Sequence, residues 1–280
     1  MIRFRPKRRS EDMTPIVRDV DLARYAEDIL REYRPELLKR PDRLDPYHFA
    51  EHYLGSNVLV HDIYTTDRRE KIAGAAIFRD GSVKVFDKEN MGTQIIPVKA
   101  NSILLDSDTA HSRYEGFEEF TMMHEAGHLL LHREVYGLLQ SQDNEISGGA
   151  LCKRSNIGGF RSSLKTNEDF REHQANTFAA FMLMPPRTFI PFVRSRIMES
   201  RVYTELGEDT VILKPADPDF RRTVPRNQII TEATQTFGTS RAAVTVQMTR
   251  YGLASGPDED SLYEARRRLK LYSSLIGYRV

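Results

Sequence analysis

The sequence predicts an α+β fold: a small sheet, then two apolar helices interrupted by polar residues, then a smaller helical C-terminal region. Three observations predict it. Short β-prone apolar runs fall between residues 58 and 105. Two segments, 117–132 and 167–184, repeat apolar residues at helical spacing, the second ending at Pro185-Pro186. Beyond a polar stretch at 200–227 that contains Pro215, Pro218 and Pro225, the chain returns to helical patterning.

Composition is compatible with this reading. A chain of 280 residues, 40% hydrophobic and charged with both signs, can bury an ample core in one large domain or two modest ones. A net charge of +1 argues against a surface built wholly around phosphate binding. No window approaches the roughly 20 apolar residues of a membrane span, and the single cysteine, Cys152, permits no internal disulfide. The expected location is the cytoplasm, with no membrane partner.

The elements follow in order. Arg3, Arg5, Lys7, Arg8 and Arg9 crowd the first ten residues with no apolar stretch behind them, so residues 1–15 are expected to be a basic disordered tail and not a secretory signal. Residues 19–34 place Leu22, Ala26, Ile29, Leu30 and Tyr33 on one face, and Pro35 ends this amphipathic helix. A loop at 41–46 leads into a short helix at 47–53 closed by Gly55, and residues 58–63 begin a strand. The apolar runs 73–78 and 82–86 flank Asp80-Gly81, a dipeptide suited to a tight reversal, and together predict a hairpin. Residues 103–105 add a further strand.

The next helix carries the chemistry. Residues 117–132 read FEEFTMMHEAGHLLLH, with Phe120, Met123, Gly127, Leu130 and Leu131 at helical spacing. Within it, His124-Glu125-Ala126-Gly127-His128 forms HExxH, which places two imidazoles one turn apart on one face, where they can share a metal ion. Glu125 stands beside them, where it can take a proton from a metal-bound water. On this motif alone the alternative is a core helix whose histidines only hydrogen-bond to nearby backbone.

A catalytic zinc takes three protein ligands and a water. The best source of the third is the helix over 167–184, NEDFREHQANTFAAFMLM, where Phe170, Phe178, Phe181 and Met182 supply a packing face. Glu168, Glu172, Ala175, Asn176 and Ala179 fall on another stripe with small residues, and Glu172 lies centrally on it. Glu168, one turn earlier, is the weaker alternative. His132 stands about 12 Å further along the helix axis than His124, too far to share its metal, and is expected behind the ligands or facing substrate. His173 points roughly 100° away from Glu172 around the helix. Asn176, one turn after Glu172, is placed to orient a ligand.

HEAGHLLLH followed by ExxANxFAxxxLMP, matched by Glu172, Ala175, Asn176, Phe178, Ala179 and Leu183-Met184-Pro185, resembles the ImmA/IrrE family of metallopeptidases. The resemblance implies a zincin-like domain with one Zn2+ held by His124, His128 and Glu172, and Glu125 as general base. In that mechanism zinc activates a water for attack on a peptide carbonyl, and Glu125 passes the proton to the departing amine. His132, His173 and Tyr136 are candidates for stabilising the oxyanion. The resemblance further implies a protein substrate that is a helix-turn-helix repressor, cut in response to stress. Strands before an HExxH helix suit such a domain, in which an edge strand can bind an extended peptide.

The metallopeptidase domain is therefore expected over 16–199, followed by a helical region over 200–280. The interval 137–167 separates the two motifs by more than is usual in that family, and its Gly148-Gly149 and Gly158-Gly159 pairs suggest a mobile insertion, a solvated loop in preference to a lid over the cleft, with Cys152 as a bystander thiol in preference to a cap on the zinc. Residues 229–237, a turn at Gly238-Thr239 and residues 240–251 have helix-turn-helix proportions, with Ser240 as N-cap. DNA readout would have to come from Arg241, Thr245, Gln247 and Arg250, against the alternative that both helices pack on the catalytic domain. Arg266 to Lys270 on the last helix form a solvated face. The competing functional reading is a non-catalytic regulatory protein with structural zinc that binds DNA or a repressor. Glu125 argues against it, because a closed structural site needs no general base.

Overall fold

In the computed structural model, which describes residues 1–65, 71–87, 89–138, 149–153, 164–199, 226–254 and 259–277, one long helix lies on a short mixed sheet and a second packs against that helix. The elements in chain order are α1 (Asp19–Tyr33), a 3-10 turn (Pro35–Leu38), α2 (Pro46–His48) running into a π turn (Phe49–Tyr53), β1 (Asn57–His61), β2 (Ile72–Ile77), β3 (Gly81–Asp87), β4 (Gly92–Val98), β5 (Ser102–Asp106), α3 (Ser107–Ala110), α4 (Phe117–Leu131), α5 (Arg133–Leu138), β6 (Gly149–Lys153), α6 (Asn167–Leu183), α7 (Pro186–Glu199), α8 (Arg226–Phe237), α9 (Arg241–Arg250) and α10 (Glu259–Leu275). This is the α+β class expected.

The main sheet has the order β1-β5-β2-β6, with β1 parallel to β5 and the other pairs antiparallel. Alternation along β5 sends Ile103 and Leu105 to the large core beneath α4 and α6, and Leu104 to the opposite face. There Leu104, Ala75 and Ile77 meet Val83, Val85 and Val98 of a separate two-stranded unit, β3-β4.

That unit corrects the predicted hairpin. β2 and β3 are both strands, but they do not pair with each other: β3 pairs with β4, and β2 is flanked by β5 and β6. Both sides of β2 are taken by β5 and β6, so β3 finds its partner in β4; where the chain crosses between the sheets, the Asp80 carboxylate accepts from the N–H of Ala100 (2.8 Å) and from Lys99 (3.3 Å). The interval 137–167 also departs from the expected loop. Its residues 149–153 form the outer strand β6, while 139–148 and 154–163, with three of the four paired glycines, lie outside the described residues. The polar stretch at 200–225 likewise lies outside them.

The N-terminal segment is packed and not a solvated tail. Ile2 and Phe4 turn inward while Arg3 and Arg5 stay exposed, the Tyr25 hydroxyl donates to the Ile2 carbonyl (3.1 Å), and the Phe4 ring lies 4.9 Å from that of Tyr25. The alternating apolar residues beneath the charges make this docking favourable.

α6 begins with a capping box: Thr166 accepts from the Asp169 N–H (3.0 Å) while Asp169 accepts from that of Thr166 (3.0 Å). Its expected packing face holds at Phe178, Phe181 and Met182, but Phe170 is exposed, because it lies in the first turn before the helix reaches the core. α7, not foreseen in the sequence, continues past Pro191. The C-terminal helices rest on this body. At the α8–α9 turn, Thr239 and Ser240 press on Gly116, the left-handed residue before α4, where an added Cβ would lie 2.0 Å from the Thr239 carbonyl carbon. Among the described residues no helix is long and apolar enough to cross a membrane.

Candidate metal centre

The site is set by the closeness of α4 and α6. A Cβ on Gly127 would stand 3.1 Å from the Phe178 ring and 3.4 Å from both the Cα and the carbonyl oxygen of Ala175, so the helices approach so closely here that anything larger than a methyl group would meet the Ala175 backbone. His124 and His128 project one turn apart from α4, and Glu172 reaches them from α6, one turn before Ala175 and Asn176.

All three side chains are buried and their ligating atoms converge. His128 Nε2 lies 3.0 Å from His124 Nε2 and 3.3 Å from Glu172 Oε1, and His124 Nε2 lies 3.6 Å from Glu172 Oε2. A tetrahedral ion with nitrogen and oxygen ligands at about 2.0–2.1 Å spaces those ligands about 3.3 Å apart. The separations and the donor set, two imidazoles and a carboxylate, therefore fit one divalent ion shared by all three. Among the described residues this is the one His, Cys, Asp and Glu group of that kind.

At His128 and Glu172 the charge state is the one a ligand needs, whereas at His124 a proton competes with the ion. Burial disfavours the imidazolium of His124, but the hydrogen bond and charge of Glu172 more than offset it and hold His124 above its ordinary value. At His128 burial prevails and the pKa falls. Burial also opposes ionisation of Glu172, yet the two histidines hold it well below the usual carboxylate range, so it carries the charge a ligand needs.

Behind the triad, His124 Nδ1 lies 3.1 Å from Asn176 Oδ1, which accepts the Nδ1 proton and leaves Nε2 facing the centre. His132 is fully buried and lies behind His128, with Nδ1–Nδ1 at 3.0 Å and its Nε2 3.0 Å from Gln174 Oε1. His173 turns away to Asp19, at 3.2 Å, and Glu168 is exposed. Of the oxyanion candidates, His132 and His173 are thus committed elsewhere. Tyr136 remains beside His128, with ring centroids 6.2 Å apart, its hydroxyl accepting from Arg171 Nε (3.3 Å) and its pKa pushed up by burial.

Glu125 is completely buried, with its carboxylate against β2, where a Cβ on Gly74 would lie 3.1 Å from Oε1 and 3.2 Å from Cγ. Gly74 makes room for the carboxylate. Sequence reasoning missed it, although a glycine inside an apolar strand marks a close approach. Cys152 pairs with Gly74 across β2 and β6. Gln174 was missed too, since nothing in its spacing distinguishes it from a surface glutamine.

The four groups considered for DNA readout divide. Arg241 is exposed and donates to Thr231 (2.5 Å), and Thr245 is half-buried. Gln247 is fully buried, and Arg250 points inward to Asp19 (3.3 Å), Thr177 (3.1 Å) and Gln247 (2.8 Å). Ser240 does cap α9, accepting from the Ala243 N–H at 3.2 Å. Arg266, Arg267 and Lys270 are exposed on α10.

Residues 82–209 match the family model Peptidase_M78, described as the IrrE N-terminal-like domain. No curated protein matches the chain.

Proposed function

We propose that this chain, whose residues 82–209 match the IrrE N-terminal-like domain of Peptidase_M78, is a zinc-dependent endopeptidase that makes limited cuts in a protein substrate. The observation that carries this is the convergence of His124, His128 and Glu172 beside a buried Glu125. His124, His128 and Glu172 would hold the zinc ion, which when bound would supply a Lewis acid able to lower the pKa of water towards neutrality and to polarise a carbonyl.

The chain's own residues do the rest. Glu172, ionised, balances charge at the centre, and Asn176 fixes the His124 ring through Nδ1. Glu125 is the general base: its carboxylate takes a proton from water and returns it to the amine nitrogen of the broken peptide bond. Among the described residues β6 is the outer strand next to β2, and we place an extended peptide substrate along it. The neutral Tyr136 hydroxyl is the group we assign to the oxyanion. The substrate we propose is a helix-turn-helix repressor, a reading supported by the family resemblance of the two motifs.

Glu125→Gln tests the mechanism. The variant should keep zinc near one per chain and lose cleavage, read as disappearance of new protein N-termini in cells expressing it in place of the wild type. Cleavage that survives the substitution would sink the assignment of Glu125.

A further inference from the structure

One hydrogen-bonded chain leaves the metal centre and ends far away in sequence. His128 Nδ1 meets His132 Nδ1 at 3.0 Å, His132 Nε2 meets Gln174 Oε1 at 3.0 Å, and Gln174 Nε2 donates to the Pro15 carbonyl at 2.7 Å. The last group decides the direction of all the others. A carbonyl only accepts, so the amide must present its NH2 to Pro15 and its oxygen to His132. That oxygen also only accepts, so His132 carries its proton on Nε2 and offers a lone pair at Nδ1. His128 must then donate from Nδ1, which leaves the lone pair of its Nε2 at the centre, beside His124 and Glu172.

The end of this chain is fixed in place. Residues 8–16 form a closed turn in which the Ile16 N–H donates to the Arg8 carbonyl (2.9 Å) and the Ser10 N–H to that of Thr14 (2.9 Å). Arg171, the neighbour of Glu172, donates to Asp12 (2.8 Å) and to the buried Thr14 (2.8 Å), which clamps the turn to the start of α6. The turn lies outside residues 82–209.

We propose that the N-terminal turn is a positioning element of the metal centre, acting through Gln174 and His132 to fix the His128 tautomer that binds the ion. The inference rests on the zinc reading of the triad. His132 and Gln174 are positioning residues, and a domain cut to 82–209 lacks the acceptor that orients them.

The test measures zinc affinity of the full chain by competition with a chromophoric chelator, with the visible spectrum of the cobalt-loaded protein as a signature of the ligand field. Partners of this kind are worth about 10–100-fold in metal affinity. Gln174→Leu and His132→Leu should weaken zinc by that factor and alter the cobalt spectrum, while His132→Gln, which keeps an acceptor for His128, should recover most of the loss. Asp12→Ala, which touches no ligand, should weaken zinc by a smaller factor, and combining it with Gln174→Leu should add nothing further, because both act on one chain. Should His132→Leu fail to fold, the Gln174 and Asp12 variants carry the comparison. Wild-type affinity in Gln174→Leu and Asp12→Ala overturns the proposal and leaves the zinc reading intact, and additive losses in the double variant overturn it as general loosening. A wild type that binds no zinc removes both.

Discussion

Gly127→Val tests whether the α4–α6 contact sets the spacing of the metal ligands. A Cβ at this position already falls 3.1 Å from a ring carbon of Phe178 and 3.4 Å from the Ala175 backbone. The two γ-carbons of valine reach about 1.5 Å further, and the Ala175 backbone cannot turn aside as a side chain can, so the helices must part by about 1 Å. Metal–ligand distances tolerate only about 0.2 Å. Binding zinc therefore requires the helices to close again against an overpacked contact, at a cost of about 1–3 kcal/mol, which is about 5- to 150-fold in affinity. Gly127→Ala should differ sharply: the ring of Phe178 can tilt away, the better helix propensity of alanine contributes about 1 kcal/mol, and the affinity should stay within about threefold of wild type. Zinc competition reads the affinity, and thermal melting of the metal-free protein separates loss of fold from loss of site. If Gly127→Val binds zinc as tightly as wild type, the helix contact does not govern the centre.

Two further predictions address the base and the C-terminal helices. Gly74→Ala should keep zinc but lower the cleavage rate several-fold, because the added methyl, 3.1 Å from Glu125 Oε1 and 3.0 Å from the Leu104 carbonyl, displaces the base by a few tenths of an ångström; an unchanged rate would mean that the position of Glu125 is not limiting. Asp19 bridges His173 and Arg250; burial raises its pKa, but those two partners lower it more, so the folded value lies below 3.8. The sign follows: its contribution is full above the ordinary aspartate value and is lost as pH falls through the lower folded one. With the carboxylate about one-third exposed, Asp19→Asn should cost about 1–2 kcal/mol at neutral pH and flatten the acid limb of stability, and a melting curve whose pH dependence below 4 matches wild type would refute it.

The sequence by itself determined the elements whose logic is local. Four residues make one helical turn wherever the helix lies, so HExxH places His124 and His128 side by side before any packing is known. The same rule put Glu172, Ala175 and Asn176 on one stripe of α6, with small residues where a partner helix must come close. Pairing of distant parts obeys no such rule. β2 and β3 read as a hairpin because apolar runs flanked Asp80-Gly81, yet Asp80 binds Ala100 and the strands enter different sheets. Strand β6 emerged from an interval rich in glycine because β2, between β5 and that interval, had an edge to fill. The link from His128 to Pro15 joins residues whose separation in sequence leaves no periodic trace, and Gln174 and Gly74 owe their roles to what lies across from them. Only the folded chain decides such contacts, because burial leaves every donor and acceptor in need of a partner and the fold determines which one is near.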